Sequence, residues 1–181
     1  MKLIHNQIPV EFLSELPEGV KLVKRKGREF LVIEDVVSRS GRSLMSDDVR
    51  IHGEPSIMMQ VTIRDAVGPI FLDAYWGSHA KLYGFLPTLS GADPVIDAAV
   101  PESRESLMVD SVCEVEGCGC TRAVELLLPG GENKILVCAR MGCPGHRMVL
   151  SRMPKMVSDT ISGINFFGAG SLDEDWFSEL S

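Results

Sequence analysis

The chain has 181 residues, 45% of them hydrophobic and 24% charged, and 25 Asp and Glu outnumber 18 Lys and Arg for a formal charge of −7. This composition excludes bulk disorder, and no uncharged apolar run approaches the ~20 residues that a bilayer-spanning helix needs. A chain of this length buries roughly 70% of its unfolded surface, so it sustains a core without covalent staples.

Pro9 opens an expected short helix through Leu16, with Val10, Leu13 and Phe12 as its packing residues. Pro17-Glu18-Gly19 ends it. Two extended stretches follow, Val20 to Val23 and Glu29 to Val37, joined by a basic turn around Gly27. That turn belongs to the densest basic cluster, Lys21, Lys24, Arg25, Lys26 and Arg28, which is followed closely by Glu29, Glu34 and Asp35. No aromatic residues interleave to stack bases, so the cluster reads as a solvated turn. Ser38 to Asp48 is expected to be an exposed loop.

Met59, Val61 and Ile63 then alternate with polar residues, and after Asp65-Ala66-Val67-Gly68-Pro69 the alternation resumes from Ile70 to Trp76. Period two on both sides predicts a β-hairpin, its second strand central and its first at an edge. Pro87 to Glu105 reads as a lightly packed connection. A module boundary is placed near residue 105, dividing a β-rich part, 1–105, from a C-terminal part, 106–181. A strand over Leu107 to Val112 leads into the cysteines. Beyond them, Pro154 opens a helix with apolar positions Met156, Val157, Ile161 and Ile164, and residues 171–181 form an acidic, aromatic terminal helix.

All five cysteines fall between Cys113 and Cys143. An odd number gathered in one stretch is unlike a secreted disulfide scaffold, and Met1 to Pro9 lacks the apolar centre of a secretory leader. The expected location is therefore cytoplasmic, where such clusters hold metals. Two segments share one pattern: Val112-Cys113-Glu114-Val115-Glu116-Gly117-Cys118 and Val137-Cys138-Ala139-Arg140-Met141-Gly142-Cys143. In each, Gly before the second Cys permits a tight turn that aims two thiolates at one ion.

The preferred ligand set is Cys113, Cys118, Cys138 and Cys143, with Cys120 and His146 as rival donors. Between the pairs, Ala123 to Leu128 and Lys134 to Val137 read as strands around a Pro129 to Asn133 turn. Over residues 112–146 the arrangement resembles the zinc-ribbon class of small metal modules, though its paired cysteines are spaced more widely than the common form. The expected cofactor is Zn²⁺; an iron–sulfur cluster and a redox pair centred on Cys120 are the alternatives.

The expected fold class is thus α+β, predominantly antiparallel β structure with a zinc-ribbon-like C-terminal segment. The expected function is metal-stabilised binding or assembly, with a protein partner or a second copy of the chain and no membrane. One alternative is a small-molecule enzyme with its pocket in the N-terminal β region, using Asp73, His79 or Lys81. Another is a ribbon-type nucleic-acid binder using Arg122, Lys134, Arg140, Arg147, Arg152 and Lys155; the acidic net charge makes it the less favoured.

Overall fold

Alternation along the chain builds three antiparallel sheets and two short helices in the computed structural model, which describes residues 8–25, 27–87 and 93–164. The expected terminal helix over 171–181 lies outside those residues. Helix α1 (Val10–Ser14) starts after Pro9, which stands at the N-cap. Its inward residue is Phe12, fully buried, whereas Val10, expected on the packing side, is 76% exposed. A helix of five residues has room for one anchor, and the largest apolar group takes it.

Strands β1 (Val20–Arg25) and β2 (Arg28–Ile33) pair in a two-stranded ribbon across the basic turn. The next sheet follows the order β3-β4-β5-β6, formed by Met45–Ile51, Glu54–Ile63, Ala66–Leu72 and Lys81–Tyr83. Strand β7 (Asp97–Ala99) pairs with the far half of β4. The second hairpin strand, β5, is interior as expected, between β4 and β6, but the first, β4, is interior as well rather than at an edge. In β4, Ile57, Met59, Val61 and Ile63 are buried, as period two requires.

The hairpin turn is also tighter than expected, because Ile63 pairs directly with Ala66 and Arg64 takes φ +54°. Gly68 and Pro69 thus lie within β5 rather than in the loop. Gly68 is required there: a Cβ would come within 2.3 Å of the Phe85 ring.

Two further expectations are corrected. Ser38 to Asp48 is not all loop, since β3 begins at Met45 and Leu44 is buried. The Pro-rich connection is not lightly packed either, since Ala98 and Val100 of the β7 region are buried. Small side chains let this segment lie flat against β4, and composition alone conceals that.

The third sheet is a meander in the order β11-β10-β9-β8, formed by His146–Val149, Lys134–Cys138, Arg122–Leu127 and Met108–Asp110. Helix α2 (Lys155–Ser162) closes over β11, with Ser158 and Ser162 donating to the Met148 carbonyl.

The strand expected to continue to Trp76 instead leaves its sheet after Leu72. Ala74 to Trp76 bridges to β2 through Ile33 N–H to the Ala74 carbonyl and Trp76 N–H to the Leu31 carbonyl. Trp76 Nε1 then donates to the Ile161 carbonyl of α2 at 2.8 Å. Val37 and Leu127 exchange backbone hydrogen bonds of 2.7 and 3.0 Å, another tie between the sheets. One buried cluster accordingly includes Phe12, Val32, Val61, Leu126, Met148 and Ile161. Among the described residues no helix is long and apolar enough to cross a membrane.

Helix α2 offers a test of this packing. Ile161 is fully buried and Met156 is 75% exposed. Ile161→Ala is expected to cost about 2–5 kcal/mol and Met156→Ala within about 0.5 kcal/mol, measured by urea denaturation of the intact chain.

Candidate metal centre

In an antiparallel meander, alternate connections lie at the same end of the sheet. The β8–β9 and β10–β11 connections carry the cysteines, with Cys138 at the end of β10 where the second begins, and the Pro129 to Asn133 turn lies at the opposite end. Topology alone therefore delivers both Cys-bearing loops to one edge.

The duplicated sequence folds twice in the same way. In the first loop, Cys113 N–H donates to the Cys120 carbonyl at 2.8 Å and Cys118 N–H to the Val115 carbonyl at 3.1 Å. In the second, Cys138 N–H donates to the Gly145 carbonyl at 2.9 Å and Cys143 N–H to the Arg140 carbonyl at 3.1 Å. The glycine before each second Cys is left-handed, Gly117 at φ +80° and Gly142 at φ +82°, a conformation that side chains with a Cβ rarely adopt.

These turns bring the Sγ atoms of Cys113, Cys118, Cys138 and Cys143 within 4.8 Å of one another. Cys113 and Cys143 are 3.7 Å apart, as are Cys118 and Cys138. A disulfide requires about 2.05 Å, whereas a tetrahedron with metal–sulfur bonds of about 2.3 Å has edges of about 3.8 Å. The cluster is suited to a single ion. An iron–sulfur cluster would interpose several atoms and spread the thiolates further apart.

Backbone amides support the sulfurs. Val115, Arg140 and Gly145 each donate to the Cys two residues earlier at 3.4 Å, and Cys120 N–H serves Cys118 likewise. That amide is the leading influence on the Cys118 thiol, whose pKa is lowered to about 7. Burial pushes the Cys113 and Cys138 thiols up instead. Two of the four thus resist ionising until a cation is at hand to compensate.

The rival donors point elsewhere. Cys120 is buried with its thiol directed at the Arg122 carbonyl, 3.4 Å away, so Cys118-Gly119-Cys120 contributes one sulfur and one amide to the cluster. His146 has Nδ1 at 2.9 Å from the Pro144 carbonyl oxygen and Nε2 at 2.7 Å from that of Ile164. Both ring nitrogens face backbone oxygens, and the ring packs edge-on against Trp76.

The candidate catalytic groups Asp73, His79 and Lys81 all line one cavity of about 60 Å³, and both Asp73 oxygens are hydrogen-bonded within the protein. Asp73 Oδ1 accepts the Tyr75 N–H, and Oδ2 lies 2.7 Å from His52 Nδ1 and accepts the Ser78 hydroxyl at 2.6 Å. That arrangement fixes the chain where it switches from β5 to the β2 ribbon. Sequence reasoning missed His52, whose only signal was a lone position before Gly53.

A groove of about 340 Å³ runs beside the cluster, lined by Cys113, Cys138, Gly145, Arg122, Arg147 and Lys155 among others. Two of its cations are already paired, Arg147 with Glu114 at 3.1 Å and Lys155 with Asp159 at 2.7 Å.

Comparison of the chain with protein-family models, curated proteins and solved structures finds no match.

Gly145 provides a direct test of the sulfur arrangement. A Cβ there would stand 2.8 Å from Cys113 Sγ, whereas one at Gly130, in the opposite turn, would meet nothing. Gly145→Ala is expected to weaken metal uptake. Gly130→Ala, at φ +91°, is expected to cost only about 1–2 kcal/mol of stability and leave uptake unchanged. Chelator competition and urea denaturation read the two effects separately.

Proposed function

We propose that the four-cysteine cluster is a structural zinc site in a zinc-ribbon-like module, and that the metal holds a surface for binding or assembly in shape. The observation that carries this reading is the convergence of four cysteine sulfurs from two equivalent turns, with 3.7 Å between the members of each close pair. Zinc has no preferred geometry of its own from d electrons and accepts the tetrahedron that the loops impose. A reducing, cytoplasmic setting belongs to the same reading, because it keeps the thiols free to bind.

The ion's part is to replace a core. The Cys-bearing loops contribute few buried side chains, and structural zinc in small modules binds with about 10–16 kcal/mol, comparable to the whole stability of a domain. The 340 Å³ groove against the loops supports the binding role, since its walls include two of the four cysteines. A protein segment or a second copy of the chain is the proposed occupant class. Nucleic acid is the weaker reading, because Arg147 and Lys155 are engaged by carboxylates and the net charge is −7.

Elemental analysis of the purified, reduced chain is expected to give about one zinc per chain. Replacing any of Cys113, Cys118, Cys138 or Cys143 by Ser is expected to abolish stoichiometric zinc, and Cys120→Ser to retain it. Iron in place of zinc, or zinc persisting in the four single variants, would overturn the proposal.

A further inference from the structure

Lys81, the first residue of β6, lines a second cavity of about 60 Å³ together with Cys143 and His146. Lysines elsewhere in the described chain sit beside carboxylates, as Lys21 does with Glu54, Lys134 with Glu125 and Lys155 with Asp159. Lys81 is different. Among the described residues no carboxylate pairs with its ammonium, and the cavity it lines is shared with Cys143 of the four-cysteine cluster. Asp73 lines the same cavity, but Tyr75 N–H, His52 and Ser78 already engage both of its oxygens.

Withdrawal from water disfavours the Lys81 charge, and negative charge on Cys143 and Cys138, once they are thiolates, would counter part of that effect. A partly buried cation of this kind needs a compensating anion. A divalent ion held by four thiolates is one, since four negative charges exceed the ion's two. The same excess charge on the partly buried sulfurs favours a cation nearby. Each group meets the other's requirement.

We propose that Lys81 is the counter-cation of the metal-loaded four-cysteine site. This rests on the metal reading above and adds a consequence to it. Because Lys81 belongs to β6 of the N-terminal sheet, occupancy of the site by metal also secures β6 against the cysteine loops. Lys81 is a positioning residue, acting on the ion through the charge of its ligands.

The test is zinc affinity, read by competition with a chromophoric chelator, in the wild-type chain, Lys81→Met and Lys81→Arg. Lys81→Met keeps the aliphatic stem and is expected to weaken zinc binding about 10- to 100-fold, the usual scale for residues that support metal ligands. Lys81→Arg keeps the charge and is expected to restore most of the affinity. If Lys81→Met fails to fold by circular dichroism, Lys81→Gln carries the same comparison.

Unchanged affinity in the neutral variant overturns the inference and leaves the metal site standing. Equal losses in Lys81→Met and Lys81→Arg overturn it as well, because packing rather than charge is then the cause. A wild-type chain that takes up no zinc overturns the metal reading first, and the inference with it.

Discussion

Four sulfurs that converge on one point set the terms for everything around them. As thiols they have little mutual attraction, and as thiolates they repel. Burial already pushes Cys113 and Cys138 away from ionisation, while the Cys120 amide draws Cys118 toward it. Only a cation makes their approach favourable, and each sulfur also receives a backbone N–H from two residues on. The loops are therefore suited to enclose a cation, where the rest of the chain encloses apolar side chains.

Chain topology makes this arrangement simple to reach. A short motif of Val, Cys, three residues, Gly and Cys occurs twice, each time between strands that pair antiparallel, β8 with β9 and β10 with β11. Joining the two hairpins through one more antiparallel pairing, β9 with β10, places both loops at one end with no crossover. The same hydrogen bonds recur in each loop, so the convergence of the four sulfurs follows from repetition of a single local geometry. The second loop differs by having Pro144 and Gly145 where the first has Gly119 and Cys120. Gly145 is the close-packed position, because a Cβ there would stand 2.8 Å from Cys113 Sγ.

How much of this was legible in the sequence depended on how local the signal was. The Val-Cys…Gly-Cys repeat located the cluster, since spacing and a glycine with positive φ are properties of a few adjacent residues. Period two along Met59, Val61 and Ile63 located β4 for the same reason. It was silent on neighbours, so the central place of β4 and the pairing of Asp97–Ala99 beside it could not be read. The helices show the same limit: Pro154 marked the start of α2, but only packing decides that Val157 and Ile161 face inward while Met156 faces water. Cys120 and His146 had the right chemistry in the right stretch. What removed them from the cluster was orientation, toward the Arg122 carbonyl in one case and two backbone carbonyls in the other.

The segment from Asp73 to Lys81 ties the four-cysteine cluster to the N-terminal sheets. Its start is held by the Asp73 hydrogen bonds, its middle pairs with β2, Trp76 reaches α2, and Lys81 arrives beside the cysteines. An ion bound by four protein sulfurs would retain no open position for a substrate, so on the proposed reading its influence passes through shape. In this fold the routes for such influence are concrete. One wall of the 340 Å³ groove is made by Cys113 and Cys138 themselves, and the 60 Å³ cavity joins Cys143 to β6. On the proposed reading, loss of the ion is expected to relax the first wall and leave Lys81 without its compensating charge, so that groove and sheet loosen together.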